Sequence, residues 1–248
     1  MKTILWLIPL TALAATDLVE KMEDRSLNST QRNDACYELR GRTQGDVLAA
    51  MRRALSDSDL RACAADNLRA AKALDLFRDA LHDPQPEVRA IAVREIGGFG
   101  RLEDLPALGA ATHDSDLLVA SNAVYGLAMC PGKEPISYLL EIARRGGITG
   151  EQALHLLAQR RAPEALTIAR AFLSSQAISD RLAAISVIGQ LGDRSDLASL
   201  REVQKKETGE LSNKGRGFGF TPVFSLSRAA KTAIESIEGR YPIQSVSR

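Results

Sequence analysis

Three histidines are the first side chains in this sequence whose chemistry could serve a reaction or a metal. His82 and His113 are 31 residues apart, and each stands immediately before an aspartate. Helices of neighbouring repeats lie about 8–10 Å apart, which is too far for two ligands of one zinc ion. A histidine that ends a helix is also favourable to the helix dipole. Gly-x-Ser-x-Gly and phosphate-loop motifs do not occur, so the sequence predicts no metal, cofactor or catalytic residue.

A second candidate is the segment from Lys214 to Phe224, in which glycines alternate with Phe218 and Phe220 beside Lys214 and Arg216. Aromatic rings and cations in a glycine-rich loop could stack on bases or sugars, or hold an anion. The alternative, which we favour, is a glycine-loosened crossover whose phenylalanines attach it to the last repeat. Of all the segments, this one is the best suited to a role beyond scaffolding.

The elements that must position these residues are short helices, and the stretch from Asp83 to Asp114 sets their pattern. A first helix is predicted from about Pro86 to Ile96, with Asp83 capping its free amides. Three glycines should then allow the left-handed geometry that ends a helix: Gly97, Gly98 and Gly100. A second apolar set follows at Leu102, Leu105 and Leu108. A helix pair this small buries too little apolar surface alone, so it must stack on copies of itself.

The copies are marked by an alanine that is followed, four residues later, by a larger apolar residue. The alanines are Ala35, Ala64, Ala92, Ala123, Ala153 and Ala184. The steps between them are 29, 28, 31, 30 and 31 residues. A small residue lets neighbouring helices approach closely, and the larger residue fills the adjacent space. This period predicts an all-α solenoid of about six helix pairs, with the alanines as the seam between repeats.

The repeated unit resembles the HEAT-repeat family, in the short form known from phycobilisome-lyase-like repeats. The resemblance is carried by Asp83, Pro86, Val88, Arg89, Ala92, Val93, Ile96, Gly97 and Gly100, and it recurs in RLAAISVIGQLGD. It covers about residues 31–204 and implies an interaction or scaffold role. It also implies that arginines three residues before a seam alanine pair with aspartates at repeat junctions, rather than forming a basic stripe. These arginines are Arg32, Arg61, Arg89 and Arg181.

The three cysteines, Cys36, Cys63 and Cys130, are an odd set, so at least one stays outside any disulfide within a monomer. Cys36 follows Ala35 and Cys63 precedes Ala64, so the two thiols leave neighbouring first helices on opposite flanks. Such flanks either face each other or point apart, and spacing alone does not decide between them. The scarcity of cysteine elsewhere favours a Cys36–Cys63 bond, with Cys130 buried and outside it.

Residues 1–14 have the features of a secretory signal peptide. Lys2 precedes an uncharged, mostly apolar run, and Ala12-Leu13-Ala14 has the small-x-small pattern of a cleavage site. We expect an exported protein, periplasmic or secreted, with no membrane span after cleavage; an uncleaved anchor is the alternative. Because Lys2 is the one charged residue removed, 31 basic and 31 acidic residues would remain. A chain with no net charge is not expected to bind nucleic acid.

The remaining boundaries follow from where the repeat begins and fails. Residues 15–30 are predicted as a linker or N-terminal cap, and residues 31–204 as the solenoid. Residues 205–225 form a loop that contains the glycines and phenylalanines, residues 226–239 a capping helix and residues 240–248 a tail. The cap is needed because an open solenoid end exposes apolar side chains.

The function that this organisation favours is non-enzymatic binding of another protein, through the surface built by the second helices. One alternative is a carbohydrate- or anion-binding module that uses the Lys214–Phe224 loop. Another is a lyase-like enzyme or chromophore chaperone, for which three histidines and one tryptophan are poorly suited.

Overall fold

The computed structural model describes residues 10–206 and 225–241, and its regular elements in these two ranges are helices. The fold is all-α and built of helix pairs, which confirms the prediction of a repeat solenoid. The chain forms two compact units, residues 1–130 and 131–248. The division falls directly after Cys130, inside the fourth predicted repeat, and the repeat pattern of the sequence gives no indication of it.

Between residues 10 and 130, the first unit contains eight α-helices, of which α2 to α8 alternate between the first and second helix of a repeat. Their bounds are α1 Leu10–Glu23, α2 Ser29–Glu38, α3 Gly45–Ala54, α4 Arg61–Ala70, α5 Leu74–Ala80, α6 Pro86–Phe99, α7 Leu105–Ala111 and α8 Leu117–Met129. Each second helix packs on the first helix of the next repeat: α3 on α4, α5 on α6 and α7 on α8. This interleaving joins the repeats into one core.

Helix α1 covers the first repeat and contains residues 15–23 of the segment expected to be a linker or cap. It packs on α2, and Met22 is fully buried. The Met22 carbonyl accepts a hydrogen bond from Nε of Arg32 at 3.0 Å. The signal-peptide prediction falls largely on residues 1–9, which lie outside the described residues.

Helix α6 corrects two local predictions. Its N-terminal residue is Pro86, but the cap position is Gln85, and Asp83 accepts the Gln85 amide at 3.0 Å instead of capping the helix. The helix also continues past Ile96 to Phe99, and the left-handed turn occurs at Gly100 alone, with φ of 62°. Gly97 stays inside the helix because it makes a close contact with α8, which is described below.

The second unit contains six α-helices in the described part of the chain. Their bounds are α9 Glu134–Arg145, α10 Gly147–Gln159, α11 Glu164–Phe172, α12 Ile178–Leu191, α13 Leu197–Lys206 and α14 Leu226–Arg240. Helix α14 packs on α12 and α13 and buries Leu226, Ala230, Ala233, Ile234 and Ile237. Its opposite face carries exposed Lys231, Glu235 and Glu238. The last described helix therefore has an apolar side toward the repeats and a charged side toward solvent.

The seam alanines lie at the centre of the core. All six, from Ala35 to Ala184, have no exposed surface, and the same is true of the larger residue four positions after each. Ala230 and Ile234 continue the spacing in α14, where they are also buried. Helix α14 is therefore built as the first helix of a further repeat.

Candidate functional site

The Cys36–Cys63 disulfide joins α2 to α4 at the junction of the first two repeats. Its sulfur atoms are 2.11 Å apart and its Cα atoms 6.3 Å apart, so the two flanks face each other. The side-chain amide of Asn67, which is 6% exposed, donates to the carbonyls of Cys36 and Cys63 at 3.2 and 3.0 Å. A covalent bond and a buried amide thus fix these two helices together. Sequence reasoning missed Asn67, although an asparagine inside a helix of alanines is itself a signal of a buried partner.

Cys130 lies directly after α8 and is buried outside the disulfide. Its thiol donates to the Gly126 carbonyl at 3.4 Å. Burial leaves it unsuited to act as a nucleophile, since reactive thiols need access and a neighbouring positive charge.

Helices α6 and α8 meet through two glycines. A Cβ atom on Gly97 would lie 2.3 Å from the Cα of Gly126, closer than unbonded carbon atoms can approach. The next residue, Gly98, is exposed and would meet nothing closer than the Met129 methyl at 4.0 Å. Gly97 is therefore required for helix contact, which explains why it lies inside α6.

The predicted pairing of arginines with aspartates at repeat junctions is confirmed for Arg32 and Arg89. Arg32 binds Asp57, and Arg89 binds both oxygens of Asp114 at 2.8 and 2.9 Å. The Arg89 hydrogen bond lowers the pKa of Asp114 below its ordinary value, although partial burial opposes this shift. The prediction is wrong for Arg61, whose Nε donates to the Leu55 carbonyl at 2.8 Å.

A second set of arginine–aspartate pairs joins a second helix to a segment beside the following second helix, and sequence reasoning missed it. The pairs are Arg52–Asp83, Arg78–Asp104 and Arg170–Asp196, at 3.1, 2.7 and 2.7 Å. The Arg52 side chain is 18% exposed and lies between Asp79 and Asp83. The sequence spacing could have indicated these pairs, because Arg78 and Arg170 each stand 26 residues before their aspartate partner.

A buried carboxylate lies between two arginines on the first-helix side of the first unit. Glu95 is 5% exposed and accepts hydrogen bonds from Arg69 of α4 and from its neighbour Arg94. Burial raises the pKa of Glu95, but the two guanidinium groups outweigh burial and lower it below the ordinary value. The carboxylate is ionised at neutral pH and ties α4 to α6, so these charges are structural.

The exposed face of α8 differs from every feature above because it carries no charge. The helix sequence LLVASNAVYGLAM has no ionisable side chain except its tyrosine. Leu118, Tyr125 and Met129 are 58%, 50% and 59% exposed. They lie at intervals of seven and four residues, so they share one face of the helix. We call these three residues the α8 face.

At the positions of Leu118 and Tyr125, the two preceding repeats carry charged residues, whereas α10 carries Ile148 and His155. Counted from the seam alanine, Leu118 and Tyr125 correspond to Glu87 and Arg94 of α6, both exposed. In the second repeat the corresponding residues are Asp59, which precedes α4, and Asp66 within it. Among the described residues, the strongly exposed large apolar side chains lie outside the second helices α3, α5, α7, α9, α11 and α13. This moves the candidate surface from the second helices, where we expected it, to α8.

A groove of about 470 Å³ lies between α12 and α14 in the second unit. Its apolar wall comes from Leu182, Ile185 and Gly189 of α12. Its other wall comes from Arg228 of α14 and from small residues: Ser225 at the helix cap, and Ala229, Thr232, Ala233 and Ser236. The helices touch beneath the groove, where a Cβ on Gly189 would lie 3.0 Å from the Ala233 methyl.

Residues 74–147, which contain α5 to α9, match a family model described as HEAT repeats. This part of the chain is similar to HEAT repeats. A comparison with curated proteins gave no match.

Solved structures show further similarities, which concern the fold alone. The Escherichia coli protein YibA matches with a TM-score of 0.54 at 16% identity, over 92% of this chain and 82% of that one. Human deoxyhypusine hydroxylase in complex with glycerol gives 0.38 at 15% identity, over 92% and 98% of the two chains. A computationally designed armadillo repeat protein for modular peptide recognition gives 0.42 at 16%, over 89% and 98%. The similarity to YibA supports the fold, and the other two similarities support no conclusion.

The remaining predicted site residues fall outside these surfaces. Lys214, Arg216, Phe218, Phe220 and Phe224 lie outside the described residues. In the described ranges, no group of three histidine, cysteine or carboxylate residues could hold a metal ion. No helix described here is long and apolar enough to cross a membrane.

Proposed function

We propose that this protein is a non-enzymatic scaffold that binds another protein through the α8 face, outside the cytoplasm. The observation that carries the proposal is the uncharged, exposed stripe of Leu118, Tyr125 and Met129. Tyrosine and methionine are enriched at protein interfaces, whereas charged residues are depleted from interface centres. HEAT repeats are commonly protein-interaction scaffolds, which agrees with this role.

Location outside the cytoplasm is supported by two independent features. Residues 1–14 have the composition of a signal peptide, and the Cys36–Cys63 disulfide belongs to the chemistry of oxidising compartments. Fractionation of host cells tests this part of the proposal. The full chain should leave the cytoplasm and lose residues 1–14, whereas a chain that starts at Ala15 should remain inside; equal cytoplasmic retention of both would contradict export.

The binding surface is tested by photo-crosslinking in host cells. A photoreactive amino acid at Tyr125 should capture one partner, whereas the same group at Asp46, exposed on the second helix α3, should capture none. The substitution Leu118→Glu combined with Met129→Glu should abolish the adduct at position 125 and preserve the helical circular dichroism. Capture at position 46 alone would show that the partner binds the second-helix surface instead. Capture at neither position would contradict binding at either surface.

A further inference from the structure

The groove between α12 and α14 exists because α14 carries small residues where another first helix carries large ones. Counted from the seam alanine, the α8 residues Leu118, Asn122, Tyr125 and Met129 correspond to Ser225, Ala229, Thr232 and Ser236 of α14. In the first unit, Asn122 donates to the Ala90 carbonyl of α6, and the methyl group of Met129 lies beside Gly98. All four α14 counterparts line the open groove instead.

An insertion enters the chain beside this groove. Earlier seam alanines are 28–31 residues apart, but Ala184 and Ala230 are 46 apart. The excess lies in residues 207–224, between the end of α13 and the start of α14, outside the described residues. This segment contains Phe218, Phe220 and Phe224, which are three of the six phenylalanines in the chain.

The insertion ends on the wall of the groove. Ser225 lines the groove and caps α14, accepting the Arg228 amide at 3.2 Å. Phe224 is therefore one residue from the wall, and Phe220 is five residues away, within roughly 16–18 Å of extended chain. A tethered segment acts at a high effective concentration, so it has an advantage over any separate molecule for the same apolar surface.

We propose that the α12–α14 groove binds phenylalanine side chains of residues 207–224 of the same chain. Aromatic rings supply the apolar area that the α14 side lacks. The hydroxyl and amide groups of Ser186, Gln190 and Thr232 provide hydrogen-bonding partners for the backbone that carries these rings. The inserted segment then fills the space that large side chains fill on α8. This proposal does not depend on a partner protein at the α8 face.

Tryptophan fluorescence tests the proposal in the full chain. The parent protein carries Phe220→Trp in a Trp6→Phe background, so the introduced indole is the single one. Two further changes, Ser186→Phe and Thr232→Phe, fill the groove from opposite walls. Both positions are exposed, so the fold should tolerate them. The matched control is Lys231→Phe, on the solvent side of the same helix.

We expect parent emission to be blue-shifted from that of the urea-unfolded chain. The groove-filled protein should lose this shift, and the Lys231→Phe control should keep it. Parent emission equal to that of the unfolded chain would refute docking, as would a blue shift that groove filling leaves unchanged. A blue shift that grows with protein concentration would assign the groove to a second copy's segment and overturn the same-chain proposal. Acrylamide quenching of the parent gives an independent measure of indole exposure.

Discussion

The first and third junctions of the first unit hold neighbouring first helices together by different means. Between α2 and α4, a disulfide and the amide of Asn67 connect the helices across a gap that side chains fill. Between α6 and α8, Gly97 and Gly126 bring the two backbones into direct contact. The disulfide acts mainly by restricting the unfolded chain, whereas the glycine contact exists in the folded state alone. One fold therefore uses covalent and steric means for the same task.

Removal of the disulfide should have the largest effect. Replacing Cys36 and Cys63 together by alanine should lower the free energy of unfolding by about 3–4 kcal/mol, the loop-entropy value for a separation of 27 residues. Urea denaturation of the oxidised wild type and the variant measures the loss, and hydrogen exchange should locate it in α2 and α4. Equal stability of the two proteins would mean that Asn67 and core packing hold α2 and α4 together without the disulfide.

The glycine junction should be the next most sensitive, and it supplies its own control. Gly97→Ala should cost about 2–3 kcal/mol, because the new methyl group must push the α8 backbone away. Gly98→Ala should instead stabilise the protein by up to about 1 kcal/mol, because the position is open and helical. Thermal unfolding of the two single variants should show shifts of opposite sign, and shifts of the same sign would refute close contact at Gly97.

Enlarging Ala92 tests how closely the helices pack at the seam between repeats. Ala92→Leu should lower the free energy of unfolding by about 1–3 kcal/mol, since the alanine is fully buried between helices. Ala49→Leu, on the exposed side of α3, is the matched enlargement and should cost less than about 0.5 kcal/mol. Denaturant titration of both variants measures the two changes. If the free energy of unfolding falls no more at Ala92 than at Ala49, the helices at the seam can move apart without loss of stability.

The charged links between helices should give the smallest effect, visible through pH. The folded-state pKa of Asp114 and of Glu95 lies below the ordinary value, so their stabilisation is complete above the unfolded pKa near 4. It is lost as pH falls through the lower folded-state values. Stability measured from pH 6 to pH 2 should therefore fall at the acid end, and less steeply in Asp114→Asn. An unchanged slope in this variant would show that the Arg89 pair contributes nothing.

The seam could be predicted from sequence because it depends on local spacing. A small residue with a larger one four positions later is a single-helix pattern, and all six alanines occupy the place that the pattern assigns. The end of α6 was missed because glycine serves equally in left-handed turns and in close helix contacts. Only the partner helix, with Gly126 opposite Gly97, distinguishes the two roles.

The candidate binding surface was harder to predict because it is defined by a comparison between helices. Leu118, Tyr125 and Met129 fit the pattern of an apolar helix face, which in a repeat fold normally means core. Their exposure follows from packing that buries the opposite side of α8. The role of Arg52 is hidden from sequence for a related reason, since its partners Asp79 and Asp83 come from the next repeat.

The charged side of α14 bears on how molecules of this kind avoid forming fibres. A repeat stack with an apolar terminal face could accept the first repeat of another molecule, and such head-to-tail addition has no natural limit. Here an added chain would have to dehydrate Lys231, Glu235 and Glu238, and Glu238 already binds Arg201 at 2.7 Å. We therefore expect this face of α14 to oppose such growth, and replacing these three residues by leucine should give assembly that increases with protein concentration.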